Sequence, residues 1–268
     1  MNGAKILSIA AQRPARTMSN DELPGKFDID DAWIQSRTGI ATRGVANAEE
    51  TLVEMSAGAA SKAIAEAGVD PATIDLTIVA TSSNPITTPG IAPPLTDRLG
   101  LTSGAFDIMA ACAGFCYSVN VAADSIRAGS ARNVLVVGAE RITDRMDWND
   151  RNTCYLFGDG AGAAIISATD VDDDGIGPVV WGSDGALADY IAQPMDSPYL
   201  QMDGQAVFKW AITELAGFAR EACEKAGIEP KDLAAFVPHQ ANLRIVESVA
   251  RNLGVGESTV VADDVRYS

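Results

Sequence analysis

Two side chains in this sequence are suited to nucleophilic chemistry. Cys112 lies in F-D-I-M-A-A-C-A-G-F-C-Y-S-V, where an apolar extended run meets a helical pattern, so a strand should end and a helix begin there. The unpaired N–H groups and dipole of a helix start favour the thiolate, the nucleophilic form of cysteine. The single histidine, His239 in V-P-H-Q-A-N-L-R-I, is the one imidazole available as a base. Together they predict a thiol acyl-transfer enzyme.

Charge limits the partners that the chain can bind. Its 268 residues carry 20 Lys+Arg against 36 Asp+Glu, a formal net charge of −16. This balance argues against a nucleic-acid-binding or anionic-membrane surface, although a local basic patch could still receive an acidic partner. No apolar run approaches the roughly 18 residues of a membrane span, so none is expected.

Cysteine usage indicates a reducing compartment. The four cysteines show no C-x-x-C spacing, and one histidine is too few for the usual mixed zinc sites, so no metal site is expected. A cytoplasmic location fits best. Apart from Cys112, the cysteines are interpreted as packing or structural residues: Cys116, Cys154 and Cys223. The glycine-rich segment 158–162 lacks the context of a phosphate loop and is interpreted as a tight turn leading into a strand.

An internal repeat organises the chain. E-A-G-V-D-P-A-T-I-D-L-T-I-V at residues 66–79 aligns without a gap with K-A-G-I-E-P-K-D-L-A-A-F-V-P at residues 225–238. Each copy reads as a helix ended by glycine, an acid-Pro turn and a short strand. A long helical pattern precedes each copy, and a second helix ending in Leu-Gly follows. A duplicated α/β unit with mostly parallel sheets is therefore predicted.

The repeat divides the chain into halves 1–170 and 171–268. Cys112 belongs to the first and His239 to the second, so the predicted site is assembled across the two. The second copy reaches its strand at 259–263 and stops at Ser268. By the logic of the repeat, roughly fifty to sixty residues are expected to be missing from the C-terminus.

Five motifs in order resemble one family. They are D-A-W-I-Q-S-R-T-G-I, A-C-A-G-F, D-R-N-T-C-Y-L-F-G-D-G-A-G-A, M-D-G-Q-A-V-F-K and P-H-Q-A-N-L-R-I. The chain resembles β-ketoacyl-(acyl-carrier-protein) synthase III, the initiating condensing enzyme of type II fatty-acid synthesis. The resemblance implies a thiolase-like, five-layer αβαβα fold from two duplicated α/β halves, the second of them incomplete.

The resemblance also implies a mechanism. Cys112 takes an acyl group from acyl-CoA, and malonyl-acyl carrier protein then decarboxylates to an enolate that attacks the thioester. His239 supplies one hydrogen-bond donor to the enolate oxygen, and an asparagine of a G-N-T-S segment supplies another. That segment should begin where this sequence ends. No cofactor is expected beyond the CoA thioester substrate, and a homodimer is implied.

Substrate-binding residues come partly from spacing and partly from the family. Trp33 and Arg37 lie four apart, so on a helix they share a face suited to an adenine ring and phosphates, although a surface stacking pair would look the same. The resemblance adds Arg151 on the other side of the adenine. Asn242 is a candidate for the substrate channel or a helix cap. Met202 and Phe208, from the fourth motif, complete the substrate-binding set.

Two further groups have weaker support. By resemblance, the segment with Thr87 and Thr88 helps close the acyl pocket of the partner subunit, and their small side chains would admit longer or branched acyl groups. Lys209, Arg244 and Arg251 are candidates for docking the acidic carrier protein, with solvated surface charge as the alternative.

Other functions remain open at this level. A sister enzyme that acylates an oxygen or nitrogen acceptor, or starts a polyketide, would use the same Cys112–His239 pair. A non-catalytic acyl-CoA-binding protein is the alternative of a different class. A cysteine hydrolase is disfavoured because Ala110 occupies the first glycine position of the nucleophile-elbow pattern.

Overall fold

The computed structural model describes residues 2–24 and 27–267; Ser268, where the expected truncation falls, lies outside them. The helices are α1 (Asp31–Thr38), α2 (Leu52–Ala67), α3 (Ala92–Leu99), α4 (Gly114–Arg127), α5 (Gly204–Ala226) and α6 (Leu243–Leu253). The strands are β1 (Asn2–Gln12), β2 (Thr17–Ser19), β3 (Thr42–Gly44), β4 (Ile74–Ala80), β5 (Gly104–Ile108), β6 (Asn133–Arg141), β7 (Asp159–Asp170), β8 (Ile191–Ala192), β9 (Gln201–Met202), β10 (Ala235–Phe236) and β11 (Val260–Val261).

The chain forms two compact units. Unit 1 consists of β1 and the segments Gly44–Ile142 and Gly158–Gly177. Unit 2 consists of Thr17–Arg43, Thr143–Phe157 and the part of the chain that begins at Pro178. The division at residue 170 follows the sequence repeat and stays a prediction.

Unit 1 is built on a five-stranded sheet with the order β1-β7-β6-β4-β5. The pairs β6–β4 and β4–β5 are parallel, whereas β1–β7 and β7–β6 are antiparallel. The prediction of a mostly parallel sheet is therefore wrong for this unit. A parallel neighbour needs a crossover connection, usually a helix, but only short 3₁₀ and turn segments link β6 to β7, so β7 turns back against β6.

Side chains of β6 alternate between two apolar layers. Val134 and Val136 pack with α4, whereas Leu135 and Val137 pack with α2 and α3. This alternation follows from the two-residue period of a strand. On α2 the buried face is rich in alanine, which lets the helix approach the sheet closely. The core of unit 1 thus lies on both faces of its sheet.

The predicted repeat is confirmed element by element. The glycines expected to end helices all adopt the left-handed conformation: Gly68 (φ 65°), Gly100 (φ 68°), Gly227 (φ 67°) and Gly254 (φ 82°). A short 3₁₀ turn follows the first helix of each copy, at Pro71–Thr73 and at Pro230–Asp232. Each copy then forms a parallel strand pair, β4–β5 in one and β10–β11 in the other.

Unit 2 contains a small aromatic core and a helix pair. Ile34 of α1 is buried in a cluster with Met146, Cys154 and Tyr155. Helix α5 packs against α6, and β2–β3 and β8–β9 form two-stranded ladders. Across both units, no described helix has the length and apolarity to span a membrane.

Candidate active site

Cys112 lies in a sharp connection between β5 and α4. Strand β5 ends at Ile108, and Ala111–Ala113 form a single 3₁₀ turn before α4. Ala111 has φ 44°, a left-handed conformation that costs a non-glycine residue about 1–2 kcal/mol. A Cβ on Gly114 would lie 3.0 Å from Ala80 Cβ, so glycine lets the start of α4 approach the end of β4. This connection presents an exposed Cys112 thiol.

The electrostatics of Cys112 differ from the expectation. Desolvation by surrounding protein raises the pKa of the thiol, and the Glu140 carboxylate raises it further, while the backbone N–H of Cys112 lowers it. The backbone N–H acts in the direction expected of a helix start, but desolvation by the surrounding protein has the larger effect, so the resting group is the thiol. The thiol must lose its proton when it reacts, so a base is needed.

His239 lies in the loop between β10 and α6. Burial lowers the pKa of its imidazole, which is neutral at pH 7 and can therefore either accept a proton or donate an N–H bond. Gln240 fixes this loop: its Nε2 donates to the carbonyl oxygens of Pro238 (2.9 Å) and Ala262 (3.2 Å). Its Oε1 accepts the N–H of Val265 at 3.1 Å. This role of Gln240 was not predicted, and its position beside His239 is the signal in the sequence that could have indicated it.

The two predicted catalytic residues belong to different units, Cys112 to unit 1 and His239 to unit 2. Their joint action stays a prediction.

Trp33, Arg37 and Arg151 come together in unit 2. The Cζ atom of Arg37 lies 5.3 Å from the centroid of the Trp33 ring, and that of Arg151 lies 5.2 Å from it. Tyr155 packs edge-on against the same indole, with ring centroids 5.7 Å apart. A surface cavity of ≈ 250 Å³ adjoins Trp33 and is lined by residues 27–30. An aromatic face with two guanidinium groups can stack a flat ring and attract phosphates.

Asn242 makes two structural contacts. Its Oδ1 accepts the N–H of Arg244 at 2.9 Å, which caps α6. Its Nδ2 donates to the carbonyl oxygen of Arg37 at 3.2 Å, which ties α6 to α1. The capping alternative is therefore confirmed, and the substrate-channel role stays a prediction.

The remaining candidates are distributed over both units. Met202 lies in β9, paired with Ile191 of β8. Phe208 lies near the start of α5, with the Arg244 guanidinium 5.1 Å above its ring. The other candidates are exposed: Thr87 and Thr88 in the loop between β4 and α3, Lys209 on α5, and Arg244 and Arg251 on α6.

Two minor interpretations need correction. Cys116 is exposed, so its assignment to packing is wrong: α4 buries Ser118 and Ala122 and leaves Cys116 outside. Segment 158–162 is not a tight turn, because β7 already begins at Asp159 and pairs with β6 through it. Cys154 and Cys223 are buried, as expected of structural residues. Within residues 2–24 and 27–267 no cluster of metal-ligating side chains is found.

Known proteins match this chain over nearly its whole length. Residues 106–185 match the family 3-oxoacyl-(acyl-carrier-protein) synthase III, and residues 223–267 match the C-terminal part of that family. A β-ketoacyl-(acyl-carrier-protein) synthase III of Streptomyces coelicolor is 44% identical, over 98% of this chain and 84% of the relative. The chain belongs to the β-ketoacyl-(acyl-carrier-protein) synthase III family. It is thus an acyl-transferring condensing enzyme.

Other relatives and solved structures agree. A synthase III from Mycobacteroides abscessus is 43% identical over 100% of this chain and 82% of the relative. A priming β-ketosynthase from a polyketide biosynthetic pathway superposes with a TM-score of 0.95 at 43% identity, over 99% of this chain and 83% of that one. The synthase III of Aquifex aeolicus gives a TM-score of 0.92 at 36% identity, over 99% and 86%. The predicted thiolase-like α/β class is confirmed.

Proposed function

We propose that this synthase III initiates type II fatty-acid synthesis with Cys112 as its acyl-carrying nucleophile. The observation that carries the proposal is an exposed cysteine in the strained turn into α4, in a chain that shares more than two-fifths of its residues with synthases III. The product is a β-ketoacyl-carrier protein, with release of CO2 and CoA.

The first half-reaction transfers an acyl group. The Cys112 thiol loses its proton to a base, and the sulfur attacks the carbonyl carbon of acyl-CoA. The carbon–sulfur bond to CoA breaks, and the CoA thiolate leaves and takes up a proton. Because the pKa of Cys112 is raised, the deprotonated form is scarce at neutral pH, and His239 in its neutral form is the base that we assign.

The second half-reaction forms the carbon–carbon bond. Malonyl-carrier protein loses CO2, and the enolate that remains attacks the acyl thioester carbonyl and expels the Cys112 thiolate. A neutral His239 can donate an N–H bond to the enolate oxygen, and the lowered pKa of the imidazole keeps it neutral. No cofactor takes part in this scheme.

We assign the adenine of CoA to the Trp33 ring, with Arg37 and Arg151 beside it as partners of the phosphates and the ring. Met202, Phe208 and Asn242 are assigned to the rest of the substrate path. This assignment is supported by the two guanidinium groups, which an acidic protein places against one aromatic side chain. Thr87 and Thr88 are assigned to the acyl pocket, where small side chains would admit longer or branched acyl groups.

The acidic carrier protein is assigned to Lys209, Arg244 and Arg251. Arg244 and Arg251 lie seven residues apart on α6, and both are exposed. The variant Arg244→Glu should raise the KM for malonyl-carrier protein more than the KM for acyl-CoA. Equal effects on the two constants would contradict docking at this position.

We further infer that the enzyme is a homodimer in the cytoplasm. Strand β5 is the last strand of the unit 1 sheet, and Phe106 on it and Met109 just beyond it are 40% and 80% exposed. An unpaired edge with large apolar side chains suits pairing with a second copy. Light scattering should give a mass of two chains, and replacing Phe106 by a charged residue should give one.

The nucleophile is tested with a matched pair of thiol variants. Acyl-CoA is mixed with the wild type, Cys112→Ser and Cys116→Ser, and the acyl adduct is located by mass spectrometry of peptides. Cys116 is the control because it is also exposed and lies only four residues away. Wild type and Cys116→Ser should carry one acyl group on Cys112, and Cys112→Ser none. An adduct on Cys116, or none on the wild type, would contradict the proposal.

A further inference from the structure

One side-chain amide holds helix α1 at both of its ends. Asn20 is 6% exposed, and its Nδ2 donates to Asp31 Oδ1 at 2.8 Å and to the carbonyl oxygen of Ile40 at 2.8 Å. Asp31 is the first residue of α1, and Ile40 follows Gly39, the glycine that ends it. Both protons of one amide therefore fix the two ends of the helix relative to each other.

Arg43 on β3 sets the direction of this amide. Its Nη2 donates to Asn20 Oδ1, and its Nη1 donates to the carbonyl oxygens of Met18 (3.4 Å) and Ser19 (3.3 Å). A guanidinium carries only donors, so the Asn20 oxygen must face it. The amide nitrogen is thereby left to face α1.

Burying the charge of an arginine is energetically unfavourable. Arg43 is 1% exposed, and its Nε has no hydrogen-bond partner within the described part of the chain. Removing such a charge from water is unfavourable, and an apolar side chain of similar size often stabilises a fold better. What an apolar side chain could not do is donate to Asn20 Oδ1 and so set the direction of the amide.

Helix α1 carries two of the three side chains assigned to CoA. Trp33 and Arg37 lie on it, and the Arg151 guanidinium lies 5.2 Å from the Trp33 ring. We propose that Asn20 and Arg43 are positioning residues for CoA binding, which hold α1 so that Trp33 meets the adenine. The inference rests on the proposed role of Trp33.

The variant Asn20→Asp tests it. The new side chain has the same shape and still accepts from Arg43, but it loses both donors and sets an oxygen against Asp31 Oδ1 and the Ile40 carbonyl. The KM for acyl-CoA should rise about tenfold, equivalent to ~1.4 kcal/mol. The saturating acylation rate should not change, and neither should the KM for the same acyl group on pantetheine, which lacks the nucleotide.

Two reference variants make the outcome decisive. Gln35→Ala removes the 2.6 Å bond to the other Asp31 oxygen on the same helix and leaves Asn20 intact, so both KM values should stay at the wild-type level. Trp33→Ala should raise the KM for acyl-CoA alone. If Trp33→Ala affected both substrates equally, the CoA assignment would be wrong.

If Trp33→Ala were selective but Asn20→Asp affected neither substrate, or both equally, the positioning role would be overturned and the CoA assignment would stand. Should Asn20→Asp fail to fold, Asp31→Ala removes the acceptor at the first residue of α1. It carries the same expectation of a rise selective for acyl-CoA, and a non-selective effect would overturn the inference.

Discussion

Gly39 should be sensitive to any larger side chain. It ends α1 at φ 78°, and a Cβ built on it would lie 2.5 Å from Leu243 Cβ and 2.8 Å from Leu243 Cδ2. Gly39→Ala therefore has two costs. The left-handed conformation costs alanine about 1–2 kcal/mol, and overpacking against a side chain fixed at its Cβ costs about 1–3 kcal/mol more. The total loss of unfolding free energy should be about 2–5 kcal/mol.

Gly227→Ala separates the two costs. Gly227 ends α5 with nearly the same backbone, φ 67°, but a Cβ there meets nothing within 4 Å. This variant should lose only the backbone cost of about 1–2 kcal/mol. Urea unfolding followed by circular dichroism measures both losses, and the difference between them is the cost of contact with Leu243.

The contact also predicts a functional difference. Leu243 begins α6 directly after Asn242, which hydrogen-bonds to α1, so Gly39→Ala should displace α1 and weaken acyl-CoA binding. Gly227→Ala should leave the acyl-CoA KM unchanged. Equal stability losses in the two variants would show that α6 moves away without cost, and the reasoning from the 2.5 Å approach would be refuted.

Three further predictions follow from burial and hydrogen bonding. Iodoacetamide should label the exposed Cys112 and Cys116 in the native protein and spare the two buried cysteines. The labelling rate should rise with pH above neutrality, because desolvation by the surrounding protein raises the pKa of both exposed thiols. Mass spectrometry counts the labelled cysteines, and rapid labelling of all four would contradict the burial of Cys154 and Cys223. Burial raises the pKa of Cys154 from 9.0 to about 11, so the folded state holds this proton more tightly than the unfolded state. The free energy of unfolding that this proton contributes is complete below pH 9 and falls by about 2–3 kcal/mol as the pH rises to 11. Urea unfolding of Cys154→Ala should therefore show a smaller loss of stability between pH 9 and pH 11 than the wild type. Asn242→Ala removes the α6 cap and the hydrogen bond to α1, so the free energy of unfolding in the same assay should fall by about 1–2 kcal/mol. A loss under about 0.3 kcal/mol would contradict this prediction.

Features determined locally were predictable from the sequence. A glycine after a helical pattern needs only its own backbone freedom to end the helix, and Gly68 and Gly227 both adopt the expected conformation. The helical spacing of Trp33 and Arg37 was enough to place them together. The approach of Arg151 to the same ring was expected through the family resemblance alone, because no local rule relates residues so far apart.

Features that depend on distant packing were not predictable. The pKa of Cys112 reflects the protein around it and the charge of Glu140, neither of which the motif around the cysteine encodes. The pairing of β1 with β7 was not predicted, because the sequence of β1 contains no signal that identifies the strand it pairs with. The role of Asn20 was invisible for the same reason, since its contacts lie on three other segments.

The pairing of β1 with β7 has a consequence for synthesis in the cell. Asn2 pairs with Asp170, so β1 leaves the ribosome long before the strand that it pairs with. At roughly 5–20 residues per second this wait lasts on the order of ten seconds or more. Meanwhile β1 is an unpaired apolar strand with Ile6, Leu7 and Ile9 along it, the kind of segment that aggregates or binds chaperones. Nascent chains stalled before β7 should therefore be far more prone to aggregation and chaperone capture than chains stalled after it.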